Sequence, residues 1–184
     1  MTAAMTPALA PGLNPGALLF IAVVIAQRLA ELALARRNTA RLLARGAREY
    51  GAGHYPLMVA QHTLWILCLA WFGRDAAVAP GWLAVWLGLQ ALRVWILASL
   101  GARWTTRIIV LDAPLVRRGP YRLMRHPNYV LVVAEIAVTP LVLGLWQIAL
   151  VFSLLNAAMI WWRVRIENAA LDHLRQPSGP AGQL

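Results

Sequence analysis

Long runs of apolar residues alternate along the chain with short segments rich in arginine. Five of these runs are as long as a bilayer core demands of a helix, about 20 residues. They cover 16–35 (GALLFIAVVIAQRLAELALA), 56–73 (PLMVAQHTLWILCLAWFG), 81–100 (GWLAVWLGLQALRVWILASL), 127–144 (PNYVLVVAEIAVTPLVLG) and 145–163 (LWQIALVFSLLNAAMIWWR). The pattern predicts an all-α integral membrane protein of about five transmembrane helices. The last two runs are joined by almost nothing, so they must turn back as a tight hairpin near Gly144. Pro140 is placed to kink or end the fourth helix. A short cytoplasmic helix is expected after the hairpin. The chain reads as one membrane domain: a flexible arm (1–14), three spans (15–100), a second part (101–176) and a disordered tail (177–184) ending in PSGPAGQL.

Charge orients the spans. The segment 36–53 carries Arg36, Arg37, Arg41, Arg45 and Arg48 against Glu49, and 101–126 carries Arg103, Arg107, Arg117, Arg118, Arg122 and Arg125 against Asp112. The alternate connections are nearly bare: 74–80 has Arg74 and Asp75, and the hairpin has no charge. Basic loops stay inside. The amino terminus is therefore expected outside and the carboxyl terminus in the cytoplasm.

Composition supports this reading. Of 184 residues, 60% are hydrophobic and only 13% charged, with nine tryptophans. Soluble domains sit nearer half apolar and a quarter charged. The net charge of +10 comes from arginine alone, for the sequence contains no lysine. Because the arginines fill the gaps between apolar runs, membrane orientation explains them better than nucleic-acid binding does. The single cysteine, Cys68, rules out a disulfide within the chain and a thiolate metal cluster. No basic side chain precedes the first apolar run, so that run is expected to be a retained span rather than a cleaved signal.

The stretch RRGPYRLMRHPNYV at 117–130 crowds basic and aromatic residues against the fourth run. Pro127 suits the first turn of a helix, since its missing N–H would have been unpaired anyway. His126 then stands at the helix mouth with Arg125 just outside. Free N–H groups of the first turn, the positive dipole end and the arginines together suit a carboxylate or phosphate. Tyr129 can offer a hydroxyl or a stacking face. The same residues could equally be interfacial anchors.

Resemblance adds to this. GPYRLMRHPNY, which includes Tyr121, resembles the Gly-Pro-Tyr…Arg-His-Pro-x-Tyr signature of the isoprenylcysteine carboxyl methyltransferase family and its phospholipid methyltransferase relatives. RVRIENAAL at 163–171 resembles the family's Arg-Ile-x-x-Glu-Glu-x-x-Leu motif, with Asn168 where the second glutamate usually stands. The resemblance covers roughly 101–175 and implies a membrane methyltransferase that uses S-adenosyl-L-methionine. It implies a cofactor site formed by Tyr121, Arg125, His126, Pro127 and Tyr129, closed by Arg163 and Glu167. The tail DHLRQPSGPAGQL lacks the aromatic residues of many relatives, which together with the alanine-rich, arginine-only composition argues against a prenylated-protein substrate. The run QRLAELALARRN, followed by RGAREYG and HYP, resembles a bacterial branch associated with type III polyketide synthases. That likeness implies O-methylation of alkylpyrones or phenolic lipids in a bacterial inner membrane.

Polar residues inside the spans are functional candidates by default. Arg28 and Glu31 can pair along the first helix, and Arg93 and Glu135 can pair between the third and fourth. Glu135 could instead face the methyl acceptor as a base, and His62 is a second catalytic candidate beside its reading as an interhelical hydrogen bond. His54 and Tyr55 sit where a substrate could enter, with Arg93 as a further substrate contact. Asn156 reads as glue between helices. No metal site is expected, and the partners are the bilayer and a lipophilic acceptor. The competing readings are an NADPH-dependent membrane reductase and a non-enzymatic transporter or lipid-binding protein.

Overall fold

The computed structural model describes residues 12–175. Five helices follow in order: α1 (Pro15–Leu43), α2 (Tyr55–Phe72), α3 (Pro80–Leu100), α4 (Pro127–Val142) and α5 (Trp146–Arg175). Each of the first four has proline within its first turn, where no N–H is needed. Asn14 caps α1 by accepting from the Gly16 amide at 2.9 Å, so the end of the expected arm is pinned. The rest of that arm, and the tail 177–184, lie outside the described residues.

Four helices, α1, α2, α3 and α5, are long and apolar enough to cross a membrane, and α4 is a shorter apolar helix of 16 residues. Its length, about 24 Å, suits a helix enclosed by its neighbours. It packs on α3 and α5, and Leu131, Glu135 and Thr139 on it are fully buried. Pro140 lies two residues before its end. Having no N–H, it deprives the Ile136 carbonyl of its helical partner, and the helix stops at Val142. The hairpin into α5 turns at Gly144, whose φ of 68° favours glycine.

The helices meet in two layers of packing. Phe20, Ile21, Trp65, Leu69, Trp86, Ile136 and Phe152 form a core toward the hairpin end. Ala35, Ile96, Trp104 and Leu131 form another toward the arginine-rich end. Large apolar side chains such as Leu19, Leu67, Trp71, Val94 and Leu154 face outward, as a lipid-facing surface requires.

At the arginine-rich end the structure differs from the expectation in three ways. α1 continues to Leu43, tethered where the Asn38 amide donates to the Trp104 carbonyl at 2.8 Å. α5 runs unbroken to Arg175, so the expected short terminal helix is its continuation. A small antiparallel ribbon, β1 (Arg48–Tyr50) with β2 (Ile108–Val110), packs Ile108 and Val110 against Ala170 of α5. Strands of three residues are too short to leave a period in the sequence.

Candidate functional site

Between Gly101 and His126 the chain folds as short turns and β2, held by side-chain anchors. Gly119 has φ 56°, and a Cβ there would lie 2.1 Å from Ser99 Oγ. Only glycine lets this loop press against α3, which places Pro120 in a buried position and Tyr121 beside the core around Trp104. Burial, and after it the charge of Glu167, raises the Tyr121 phenol above the usual tyrosine range.

The two motifs meet directly. The Tyr129 hydroxyl donates to Glu167 Oε2, and His126 Nε2 lies 3.2 Å from Asn168 Oδ1. Since a carbonyl oxygen only accepts, that ring nitrogen carries the proton in this arrangement. The His126 ring stacks on Tyr129 with centroids 5.3 Å apart. His126 Nδ1 is 3.8 Å from Glu167 Oε1. Arg163, on α5, donates to His54 Nε2 at 3.0 Å and to the Thr106 carbonyl at 3.0 Å, and its guanidinium lies 5.6 Å from the Tyr129 ring centre. It pins the start of α2 and the loop before β2 to α5.

The mouth of α4 is a weaker anion site than its sequence implied. Pro127 has no N–H and is buried as the first helical residue. The Tyr129 and Val130 amides both donate to the His126 carbonyl. That leaves the Asn128 amide, so positive charge here comes mainly from arginine side chains.

A cavity of about 470 Å³ opens at this end. Tyr121, Arg125, His126, Asn128, Tyr129, Arg163 and Glu167 line it, with Arg103, Arg107 and Arg117 from the loop and Val110 and Leu171 from the roof. A second cavity of about 240 Å³ lies between the helices, lined by Tyr55, Met58, His62, Arg28, Glu31, Arg93, Val132 and Asn156 among others. The two share Trp104, Thr105, Asn128, Tyr129 and Arg163 as a common wall. The first mixes charged, polar and apolar surface and opens to the arginine-rich end; the second is mostly apolar and lies between the helices.

Behind the second cavity sits a charge cluster. Glu135 accepts from Arg93 Nε at 2.8 Å, from a terminal nitrogen of the same guanidinium, from Arg28 at 2.8 Å and from Gln90 at 3.2 Å. Glu31 pairs with Arg28 at 3.1 Å and with Arg93 at 2.9 Å. Two arginines and two glutamates thus cancel inside the bundle, where an isolated charge would be untenable. Both pairings that the sequence allowed, Arg28 with Glu31 and Arg93 with Glu135, are present.

The sequence-based candidates therefore separate. Tyr121, Arg125, His126, Tyr129, Arg163 and Glu167 come together around the first cavity, while Tyr55, His62 and Arg93 line the second. His62 bonds the Met58 carbonyl through Nδ1 at 2.9 Å, which puts the ring proton on Nδ1 and leaves a lone pair on Nε2. Two of the candidates stand outside both cavities. Glu135 is 0% exposed and lines neither cavity, because its oxygens are filled by donors. His54 also lines neither; it is buried as the partner of Arg163. Among the described residues Asn156 has no hydrogen-bond partner for either amide atom, so no helix-gluing bond is formed there. In the sequence Arg103 and Arg107 carry only an orienting role, and Asn168 is only a departure from a motif. Their positions on or beside the cavity depend on the loop's fold.

The model of the isoprenylcysteine carboxyl methyltransferase (ICMT) family matches residues 82–173. The uncharacterized protein YpbQ of Bacillus subtilis (strain 168) is 40% identical over 160 residues, covering 84% of this chain and 95% of the relative. An uncharacterized protein of Haemophilus influenzae is 25% identical over 163 residues, covering 83% and 93%. No solved structure matches the chain. With its two motifs joined across one helical hairpin, the chain belongs to the isoprenylcysteine carboxyl methyltransferase family, a family of membrane methyltransferases that use S-adenosyl-L-methionine.

Proposed function

We propose that the protein transfers a methyl group from S-adenosyl-L-methionine to an oxygen of a lipophilic small molecule, an enol, phenol or carboxylate. The observation that carries this reading is the pair of adjoining cavities, one with many charged and polar side chains and one mostly apolar, that share Tyr129, Asn128 and Arg163. Two reactants of opposite solubility need such a junction.

The residues of the first cavity fit the cofactor. Its volume lies within the range of small-molecule sites, about 300–1,000 Å³. The Glu167 carboxylate suits ribose hydroxyls or an ammonium group, the arginines suit a carboxylate, and the aromatic faces of Tyr129 and Tyr121 suit a flat ring. When bound, the cofactor supplies an electrophilic methyl group.

The chain's own residues hold the rest. Tyr129, fixed by Glu167 and stacked on His126, sets the wall between the cavities. The second cavity orients the acceptor and keeps water away, so proximity supplies much of the acceleration. His62 Nε2 is the proton acceptor best placed by its tautomer, and Glu135, filled by donors, holds Arg28 and Arg93 in position instead. The arginine-rich end faces the cytoplasm by the positive-inside rule, where the cofactor is made available. Among acceptors, alkylpyrones and phenolic lipids match the likeness to the polyketide-associated branch.

The test is equilibrium binding of S-adenosylhomocysteine to detergent-purified protein, with NADPH as competitor and Glu167→Ala as control. Saturable binding that NADPH leaves unchanged and the variant loses is the expected result. Displacement by NADPH would transfer the site to a reductase.

A further inference from the structure

A buried amide ordinarily has partners, because leaving one without them costs the full desolvation of its polar atoms. Asn156 is 1% exposed on α5 and lines the second cavity, yet neither its Oδ1 nor its Nδ2 has a partner among the described residues. Arg28 Nε, on the same cavity, is also buried without one. His54, Gln61, Trp65 and Thr139 carry unpartnered atoms too, but none of them lines either of the two cavities. Asn156 is thus the one among these whose orphaned pair includes both a donor and an acceptor and adjoins a space for a ligand.

Arg28, Arg93, Glu31 and Glu135, on and behind this cavity, neutralise one another, and Arg163, at the wall shared with the first cavity, is occupied by His54 and the Thr106 carbonyl. A neutral headgroup therefore suits this wall better than an ion. An amide presents a donor and an acceptor side by side in a fixed plane. A ring with a single hydroxyl meets both only through bent bonds to one oxygen. A ring with two oxygen functions, a hydroxyl together with a second hydroxyl or a carbonyl, fills both.

We propose that Asn156 is the residue that selects the acceptor, pairing through both amide atoms with a neutral ring that carries two oxygen functions. The inference rests on the methyltransferase reading and narrows its acceptor. Two properties distinguish it from a packing role: it concerns preference between ligands, and it is independent of turnover.

The experiment measures dissociation constants, with S-adenosylhomocysteine present, for a long-chain alkylresorcinol and for the alkylphenol of the same chain length. The wild-type protein binds the resorcinol tighter by about tenfold or more, the value of pairing a buried polar group that is otherwise stranded. Asn156→Leu brings the ratio close to one and leaves S-adenosylhomocysteine affinity unchanged. Equal binding of the two probes by the wild type overturns the proposal without any variant, and so does a preference that survives Asn156→Leu. If Asn156→Leu does not fold, Asn156→Val answers the same question, since it removes both amide atoms with a smaller side chain. Failure of the wild type to bind S-adenosylhomocysteine at all would instead remove the reading on which the proposal rests.

Discussion

Arg93 on α3 grips the Glu135 carboxylate on α4 through two nitrogens, one of them Nε at 2.8 Å. Arg28 from α1 completes the contact at 2.8 Å, so three helices are tied at one carboxylate. The charge cluster is a fixture of the fold and forms the rigid back of the second cavity.

Removing one partner leaves an uncompensated charge inside the bundle. Glu135→Leu is expected to destabilise by about 3–5 kcal/mol. Arg93→Leu combined with Glu135→Leu, which keeps the Arg28–Glu31 pair, is expected to cost less than the two single changes together. Thermal unfolding of the four proteins in one detergent measures the coupling; strictly additive losses would mean that the two side chains act independently.

The Tyr129–Glu167 bond joins the two family motifs. Tyr129→Phe keeps the ring stacked on His126 and removes one neutral donor, so S-adenosylhomocysteine affinity should fall by no more than about tenfold. Glu167→Ala removes a charged acceptor and should cost at least that much. Titration calorimetry would separate them, and a larger loss in Tyr129→Phe would reverse the assignment of Glu167 as the ligand-binding member.

His62→Gln keeps a polar side chain of similar length and lacks a nitrogen lone pair. Methyl transfer is expected to drop on the order of 100-fold in kcat, with cofactor affinity unchanged. A variant as fast as the wild type would show that another group, or water, takes the proton.

Burial, reinforced by the charge of Glu167, keeps the Tyr121 phenol protonated above the usual tyrosine range. Between about pH 10 and that higher value the unfolded chain releases a proton that the folded chain retains. Unfolding is therefore favoured as pH rises, and stability falls in that window. Tyr121→Phe should flatten the fall, as seen in melting temperatures above about pH 10. Tyrosinate absorbance of the two folded proteins should coincide below it.

Gly119→Ala places a methyl group against Ser99 and puts alanine at a φ of 56°. The conformation alone costs about 1–2 kcal/mol, and the contact adds to it. Ser99→Ala in the same chain should recover part of the loss, because it removes the nearest atom and leaves the backbone strain. No recovery in melting temperature would place the whole effect in the backbone.

The sequence by itself determined the spans, the hairpin at Gly144 and the family, because each is written in local pattern: apolar length, proline at a first turn, and two short motifs. It also named the pairs Arg28–Glu31 and Arg93–Glu135, since a membrane leaves charges few other partners. What it left undecided is which cavity each polar residue faces. His54 and His62 are eight positions apart, yet one is locked against Arg163 and the other lines the inner cavity. Glu135 was open to two roles until three helices supplied the donors around it. The ribbon of Arg48–Tyr50 with Ile108–Val110 pairs residues far apart in sequence, and strands so short form only because α5 extends beneath them. Tertiary structure decided these points, since burial and hydrogen-bond partners depend on which helix faces lie together.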